Sequence, residues 1–351
     1  MMRIGAETVM KQTAGNARFA IRNKGEFMKV CVFGVGAVGG TVATRLLAAG
    51  ADEISLIARG VQLQAIRERG LTLIAGGKET KAKAGVATDD PSTLPPQDVV
   101  LVTLKAHALP GAAAAIARLL APQGCAVFLL NGIPWWWQHG LPGKSGALPL
   151  LDPQGTLRNQ VKPERALGCV VLCPCDIVAP GVIVNTGAAQ LVLGEPDRSS
   201  SERIEAVATM LRRGGVDTKV SGDLRRDILQ KLVSNAPGNT LSALTRLDFG
   251  GLGSDPDLCE LSAKVIREVL AVAAALGWDL RAEIDVDSVA RRNKPGQRPS
   301  MLQDVLQGRP LEVEAHLGQL QAFARTAGVA VPTTDTLLPL LRALDRSLRK
   351  A

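Results

Sequence analysis

From residue 28 onward the apolar positions gather in short unbroken blocks. Residues 29–33 (KVCVF), 54–57 (ISLI), the run DVVLVTLKAH at 98–107 and CAVFLLNG at 125–132 are each apolar, strand-length and bounded by polar or glycine-bearing stretches. Blocks of this kind predict strands buried on both faces, the condition of a parallel sheet covered by helices. Helical spacing alternates with them. Val42, Leu46 and Leu47 recur about one turn apart and Gly50 is placed to end that helix, while LPGAAAAIARLLAP predicts an Ala-rich helix between the later strands. The order predicts an α/β fold with a doubly wound, Rossmann-like sheet.

From about residue 222 the pattern becomes helical. In DLRRDILQKLVSNAPGNTLSAL, Leu224, Ile228, Leu232 and Val233 form an apolar face and Asp223 is a suitable N-cap. Lys231, Asn235 and Asn239 recur every four residues, which puts three polar groups on one flank for as long as the helix continues. Pro237 and Gly238 are expected to interrupt it and to leave Asn239 at a kink. A long helix starting near Arg309 and the segment GVAVPTTDTLLPLLRAL close the chain. The expected organisation is residues 1–27 as a disordered extension, 28–221 as a sheet domain and 222–351 as an all-helical domain.

Composition narrows the partners. With 351 residues, 46% hydrophobic and 21% charged, the chain can bury a substantial core, and it has no apolar run of the ~20 residues a membrane helix needs. Residues 1–27 are polar, with five Lys/Arg against two Glu; they lack the apolar centre of a secretory signal, and Met28 is the expected start. A cytoplasmic location is expected. The net charge of +8 is dispersed and aromatics are only 3%, which argues against a nucleic-acid surface and suits a small anionic ligand. The six cysteines, at 31, 125, 169, 173, 175 and 259, lack zinc-site spacing and are expected to be free and buried. Three isolated histidines, His107, His139 and His316, offer no metal spacing, so no metal site is expected. His316, four residues after Glu312, is expected at the surface or in the core. PGKSG at 142–146 is not a P-loop, because Gln138 stands where the first glycine is required.

The candidate chemistry begins at the first strand, which runs into Gly34-Val35-Gly36-Ala37-Val38-Gly39. A GxGxxG between a strand and a helix, with a second strand following, is the dinucleotide signature. The glycines give the tight turn, the approach of pyrophosphate to backbone and close helix–strand packing. The second strand ends in LIARG, with Arg59 where an NAD-binding protein usually has an acid. A guanidinium there suits a 2′-phosphate and favours NADP over NAD. Lys105 and Asn131 follow the next two strands, at the sheet edge where ligands sit.

Taken in order, GVGAVGG, TLKA, the NG pair, KLVSN…N and SMLQD…GR…E resemble the ketopantoate reductase family (2-dehydropantoate 2-reductase) over nearly everything from Met28 to Leu344. The resemblance implies an NADP-binding domain, a helical domain and an active site in the cleft between them. It implies reduction of a 2-oxo acid, with ketopantoate (a precursor in pantothenate synthesis) as the default substrate. It makes Lys231 the general acid and places Glu312 near Lys231 and the cofactor. Asn131 would position cofactor and substrate, Asn235, Asn239 and Ser300 would hold substrate, and Lys105 with Arg59 would lie toward the adenosine phosphate. Burial would lower the Lys231 pKa and Glu312 would raise it; sequence does not say which wins. The chain departs from the family pattern at Asn239-Thr240-Leu241-Ser242, where Asn-Pro-Leu-Thr is usual, and at Phe249, where several relatives carry a substrate-contacting Asn; Arg246 adds a cation nearby. These departures keep a bulkier 2-oxo acid in view as substrate; the alternative of another class is an NADPH-binding sensor without turnover, against which the presence of Lys231, Asn131, Ser300 and Glu312 argues. The closing helix is compatible with a homodimer.

The segment NGIPWWWQHG holds three of the four tryptophans, and two readings of Trp135, Trp136 and Trp137 remain open. They wall a pocket at the lip of the cleft, or they pack the interface between the domains. An extended chain would send Trp135 and Trp137 one way and Trp136 the other.

Overall fold

The computed structural model describes residues 28–50 and 52–349; the extension expected at 1–27 lies outside the described residues. The first half alternates as the apolar blocks predict. β1 (Lys29–Phe33), α1 (Ala37–Ala49), β2 (Glu53–Ile57), α2 (Gly60–Arg69), β3 (Leu71–Ala75), β4 (Lys78–Ala82) and β5 (Val86–Thr88) follow in order. Then come β6 (Gln97–Val102), α3 (Leu109–Leu119), β7 (Leu120–Leu130), β8 (Ala166–Leu172), β9 (Cys175–Ala179), β10 (Val182–Asn185), β11 (Gln190–Gly194), α4 (Glu202–Arg213) and β12 (Asp217–Val220). Eight strands form one sheet in the order β12-β11-β8-β7-β6-β1-β2-β5, parallel except where β8 and β11 run antiparallel. β1 lies between β2 and β6, with Val30 beside Ile54 and Val99. Its residues 30–33 are almost wholly buried, as the unbroken run requires.

A second sheet, β4-β3-β10-β9, was not visible in the pattern. Its strand β4 reads KETKA and is largely exposed, so it lacks the apolar content that marks the others. This sheet covers the outer side of α1, where Gly40 lets the Ile183 side chain approach so closely that a Cβ would lie 2.7 Å from it.

The second half is helical: α5 (Leu224–Thr245), α6 (Phe249–Ser254), α7 (Pro256–Ala275), α8 (Val286–Ala290), α9 (Ser300–Leu306), α10 (Gln319–Ala327) and α11 (Pro332–Leu348). Asp223 caps α5 by accepting from the Arg226 amide, and Trp278 Nε1 donates to the same carboxylate at 2.8 Å. Contrary to expectation, α5 runs its full 22 residues through Pro237 and Gly238 without interruption. The proline forfeits only one backbone hydrogen bond, and α5 packs on α7, α9 and α11. The closing region also differs. Residues 309–312 are non-helical and the helix begins at Val313 with a π turn, Glu314–Gly318, before α10. Pro310 disfavours helix at Arg309, and the Leu311 amide is held instead by Asp345 Oδ1 at 2.7 Å. Buried Glu268 of α7 fixes the start of α11 by accepting from the Thr333 and Thr334 amides at 2.6 and 2.8 Å.

The tryptophan run packs between the two halves and none of its rings lines the cleft described below. Residues 134–139 form successive turns, with Trp137 N donating to Pro134 O and His139 N to Trp136 O, so the alternation of an extended chain does not apply. Trp135 meets Phe128 of β7 edge-on at 5.4 Å, Trp136 packs against Gly168 of β8, and Trp137 meets Trp278 and Phe323 of the helical half at 5.7 and 5.6 Å. Arg225 of α5 fastens the seam. It donates to the carbonyls of Trp137 at 2.8 Å, Pro196 at 2.6 Å and His139, and lies over the Trp136 and Trp137 rings. Its guanidinium is buried, which pulls its pKa down to about 10.

Candidate active site

A cleft of about 1000 Å³ opens between the sheet and the helices, along the C-terminal ends of β1, β6, β7 and β8. At one end lies the glycine loop. Gly34 has φ +103°, a conformation that disfavours a side chain, and Gly39 lies so close under it that a Cβ would meet the Gly34 carbonyl oxygen at 2.3 Å. Gly34, Val35, Gly36, Ala37 and Val38 line the cleft, whereas Gly39 is buried beneath it and acts through packing. No side chain caps the start of α1, so its first amides are available to an anion, and nothing lies within 4 Å of a Cβ built on Gly36. Arg59, exposed at the start of α2, reaches the same end of the cleft. These residues could hold a dinucleotide, with Arg59 placed for a 2′-phosphate.

Lys231 projects from α5 into the middle of the cleft. Its Nζ donates to Asn131 Oδ1 at 2.5 Å and to the Val171 carbonyl oxygen at the end of β8. Both acceptors are neutral. Burial therefore dominates and lowers the Lys231 pKa to about 8, against the raising influence of Cys169 and Glu312. Asn131 is presented by a tight loop: Gly132, at φ +78°, packs on the backbone of Ala315, and the Ile133 amide donates to the Ala315 carbonyl at 2.7 Å. The π turn of the helical half thus fixes the loop that carries the lysine's partner.

Glu312 is near enough to Lys231 to raise its pKa, and its direct hydrogen bonds are made to Lys105 and Ala106. Its Oε1 accepts from the Ala106 amide at 2.9 Å and its Oε2 from Lys105 Nζ at 3.3 Å. Lys105 lines the same cleft as the glycine loop and Arg59, and Glu312 is one of its partners there. It also donates to Asp304 Oδ2 at 2.8 Å, and Arg309 Nε donates to Asp304 Oδ1 at 3.0 Å. Burial pulls the Lys105 pKa down, but the Glu312 and Asp304 carboxylates outweigh it and hold the ammonium above its ordinary range. Burial pushes Glu312 up, and Lys105 with the Ala106 amide holds it below the usual carboxylate range. Burial also pushes Asp304 up; with two cations on its two oxygens, its geometry is that of an ionised carboxylate. His316 is buried one turn further on, with its pKa lowered to about 4 by burial, so it is a neutral core residue.

The far wall carries Asn235, Asn239 and Ser300. Asn239 Oδ1 accepts from the Met301 amide at 3.2 Å and from Ser300 Oγ at 3.4 Å, which ties α5 to the start of α9. The fourfold repeat Lys231, Asn235, Asn239 does face one cavity. Phe249, with Arg292 stacked on it, completes this wall. Arg292 escaped sequence reasoning because it sits in the irregular basic stretch RRNKPGQRPS, which has no periodicity to mark it. The Val171 carbonyl escaped because a backbone acceptor has no residue signature. Cys173 and Cys175 are half-buried on the cleft wall, where burial throughout had been expected; the other four thiols are buried, and all six are free.

Comparison with known proteins decides the family. The sequence model described as "Ketopantoate reductase PanE/ApbA" matches residues 30–198, and that described as "Ketopantoate reductase PanE/ApbA C terminal" matches residues 223–345. The chain belongs to the ketopantoate reductase family. It is 36% identical over 324 residues to a 2-dehydropantoate 2-reductase from Mesorhizobium japonicum, covering 90% of this chain and 98% of that protein. A crystal structure of 2-dehydropantoate 2-reductase from Geobacter metallireducens superposes with a TM-score of 0.77 at 28% identity, covering 90% of this chain and 99% of that one. D-mandelate dehydrogenase with NADH and anilino(oxo)acetate shares the fold, with a TM-score of 0.78 at 23% identity over 92% of this chain and 100% of that one. Family membership makes the chain an NADP-dependent oxidoreductase acting on CH–OH groups, with a Rossmann-like domain followed by a helical one. Among the described residues no helix is long and apolar enough to cross a membrane, and no group of three or more His, Cys, Asp or Glu could hold a metal ion.

Proposed function

We propose that the chain reduces a 2-oxo acid to the 2-hydroxy acid with NADPH, and that ketopantoate is the substrate, so that the product is the pantoate used in pantothenate synthesis. The observation that carries this reading is Lys231, half-buried on the cleft with two neutral acceptors and a pKa lowered to about 8. NADPH, when bound, supplies hydride to the carbonyl carbon. As that carbon is reduced, its oxygen gains negative charge. The Lys231 ammonium hydrogen-bonds that oxygen and gives it a proton, and a pKa near 8 leaves most of the lysine charged at neutral pH yet able to release the proton. Asn131 orients the ammonium; Asn235, Asn239 and Ser300 hold the substrate; Gly34, Val35, Gly36, Ala37, Val38 and Arg59 hold the dinucleotide. Glu312 with Asp304 keeps Lys105 from competing as a proton donor. The working division is a cofactor domain at 28–221 and a substrate domain at 222–351, supported by the last strand ending at Val220 and α5 starting at Leu224. A homodimer is the proposed assembly, in line with the solved ketopantoate reductase from Staphylococcus aureus, which is described as dimeric.

The test is NADPH oxidation with ketopantoate beside smaller and larger 2-oxo acids, with an NADH control. Turnover of ketopantoate at more than about tenfold the rate of its competitors supports the reading; no turnover of any 2-oxo acid overturns it. Phe249 on the substrate wall favours a second reading, a bulkier 2-oxo acid, which turnover confined to larger members of the panel would establish.

A further inference from the structure

Six cations line the cleft, and the structure accounts for most of them. Lys105 and Arg309 are bound to Asp304, Lys231 to Asn131 and Val171, and Arg59 lies at the glycine-loop end. Arg292 is different. Its guanidinium carbon lies 4.3 Å above the centre of the Phe249 ring, and among the described residues its one hydrogen-bond acceptor is Gln297 Oε1 at 3.1 Å. Its Nε is buried with no hydrogen-bond partner, and no carboxylate among the described residues forms an ion pair with it. The ring beneath it is held in turn. Phe249 packs on Gly238 of α5 so tightly that a Cβ there would lie 2.7 Å from it, and the Phe249 amide donates to the Gln297 carbonyl at 3.1 Å.

A guanidinium remains charged when half-buried, and removing it from water without a counter-ion costs free energy that an anion would offset. A 2-oxo acid brings such an anion. Its carbonyl oxygen takes Lys231, so its carboxylate needs a separate partner on the same wall, and the ring-backed edge of Arg292 offers the planar fork that binds a carboxylate through two oxygens. We propose that Arg292, seated on Phe249 beside Ser234, Asn235 and Asn239, binds the carboxylate of the 2-oxo acid and selects acids over neutral carbonyl compounds. This rests on the 2-oxo acid reading above. Arg298, the other cation of this wall, is exposed and faces the field of Asp248, so it serves as the control.

The experiment compares kcat/KM for ketopantoate and for its methyl ester in the wild type, Arg292→Met, Arg292→Lys and Arg298→Met, with NADPH affinity read by fluorescence titration. Removing a charge-assisted contact should raise KM for the acid about 10- to 100-fold in Arg292→Met and leave the ester nearly unchanged. The acid-over-ester preference then collapses, Arg292→Lys recovers part of it, and NADPH affinity holds in both, which also shows that they fold. Arg298→Met keeps the preference. Retention of the preference in Arg292→Met, or its collapse in Arg298→Met, overturns the assignment. A wild type that reduces neither acid nor ester overturns the 2-oxo acid reading itself, and the assignment with it.

Discussion

Two lysines share one cleft and their pKa values are shifted in opposite directions. Lys231 and Lys105 are both half-buried, yet desolvation wins at the first and loses at the second. The difference is the charge of their partners. Lys231 faces an amide oxygen and a backbone carbonyl, which accept hydrogen bonds without supplying a full negative charge. Lys105 faces two carboxylates. Hydrogen bonds to neutral acceptors do not offset the lowering of an ammonium pKa by burial, whereas a neighbouring anion does. The fold thus makes a proton donor and a fixed strut from the same side chain, and assigns the carboxylates Asp304 and Glu312 to the strut.

That contrast can be broken at either lysine. Lys231→Met removes the proton donor and should lower kcat about 100- to 10,000-fold with NADPH affinity little changed, measured by steady-state kinetics and cofactor titration. Lys105→Met should act on the fold instead. It leaves Glu312 and Asp304 facing each other, and denaturant unfolding should show a loss of about 1–3 kcal/mol, discounted because the lysine side chain is 38% exposed.

The contrast can also be converted. Asn131→Asp gives Lys231 the kind of partner Lys105 has. An adjacent carboxylate favours the ammonium, so the alkaline limb of kcat/KM should move up by about 1–3 pH units, whatever the change in its height. Glu312→Gln removes a carboxylate that raises the Lys231 pKa without touching it, and should move the same limb down, by less than Asn131→Asp moves it up. A limb that stays put in both variants would show that it does not report Lys231.

The cofactor end of the cleft was legible in the sequence because backbone geometry there demands glycine at fixed spacing. The Lys231, Asn235 and Asn239 flank was legible because helical periodicity writes itself as every fourth residue. Lys105 and Glu312 lie 207 residues apart, and their pairing is a product of how the halves dock, which no local pattern records. The sequence likewise left the tryptophans between pocket and interface, since Arg225 fastens them through three backbone carbonyls that carry no residue identity. Pro237 misled for a related reason: a packed helix tolerates the loss of one hydrogen bond that an isolated helix would not.

The most direct test is the pH dependence of kcat/KM for carbonyl reduction by the wild-type chain, read from pH 6 to 10.5. A protonated Lys231 with a pKa lowered by burial predicts a plateau near neutrality and a one-proton fall above about 8. A plateau that persists to the lysine's ordinary value of 10.5 would contradict the account, because the ammonium would then be neither desolvated nor poised to give up its proton.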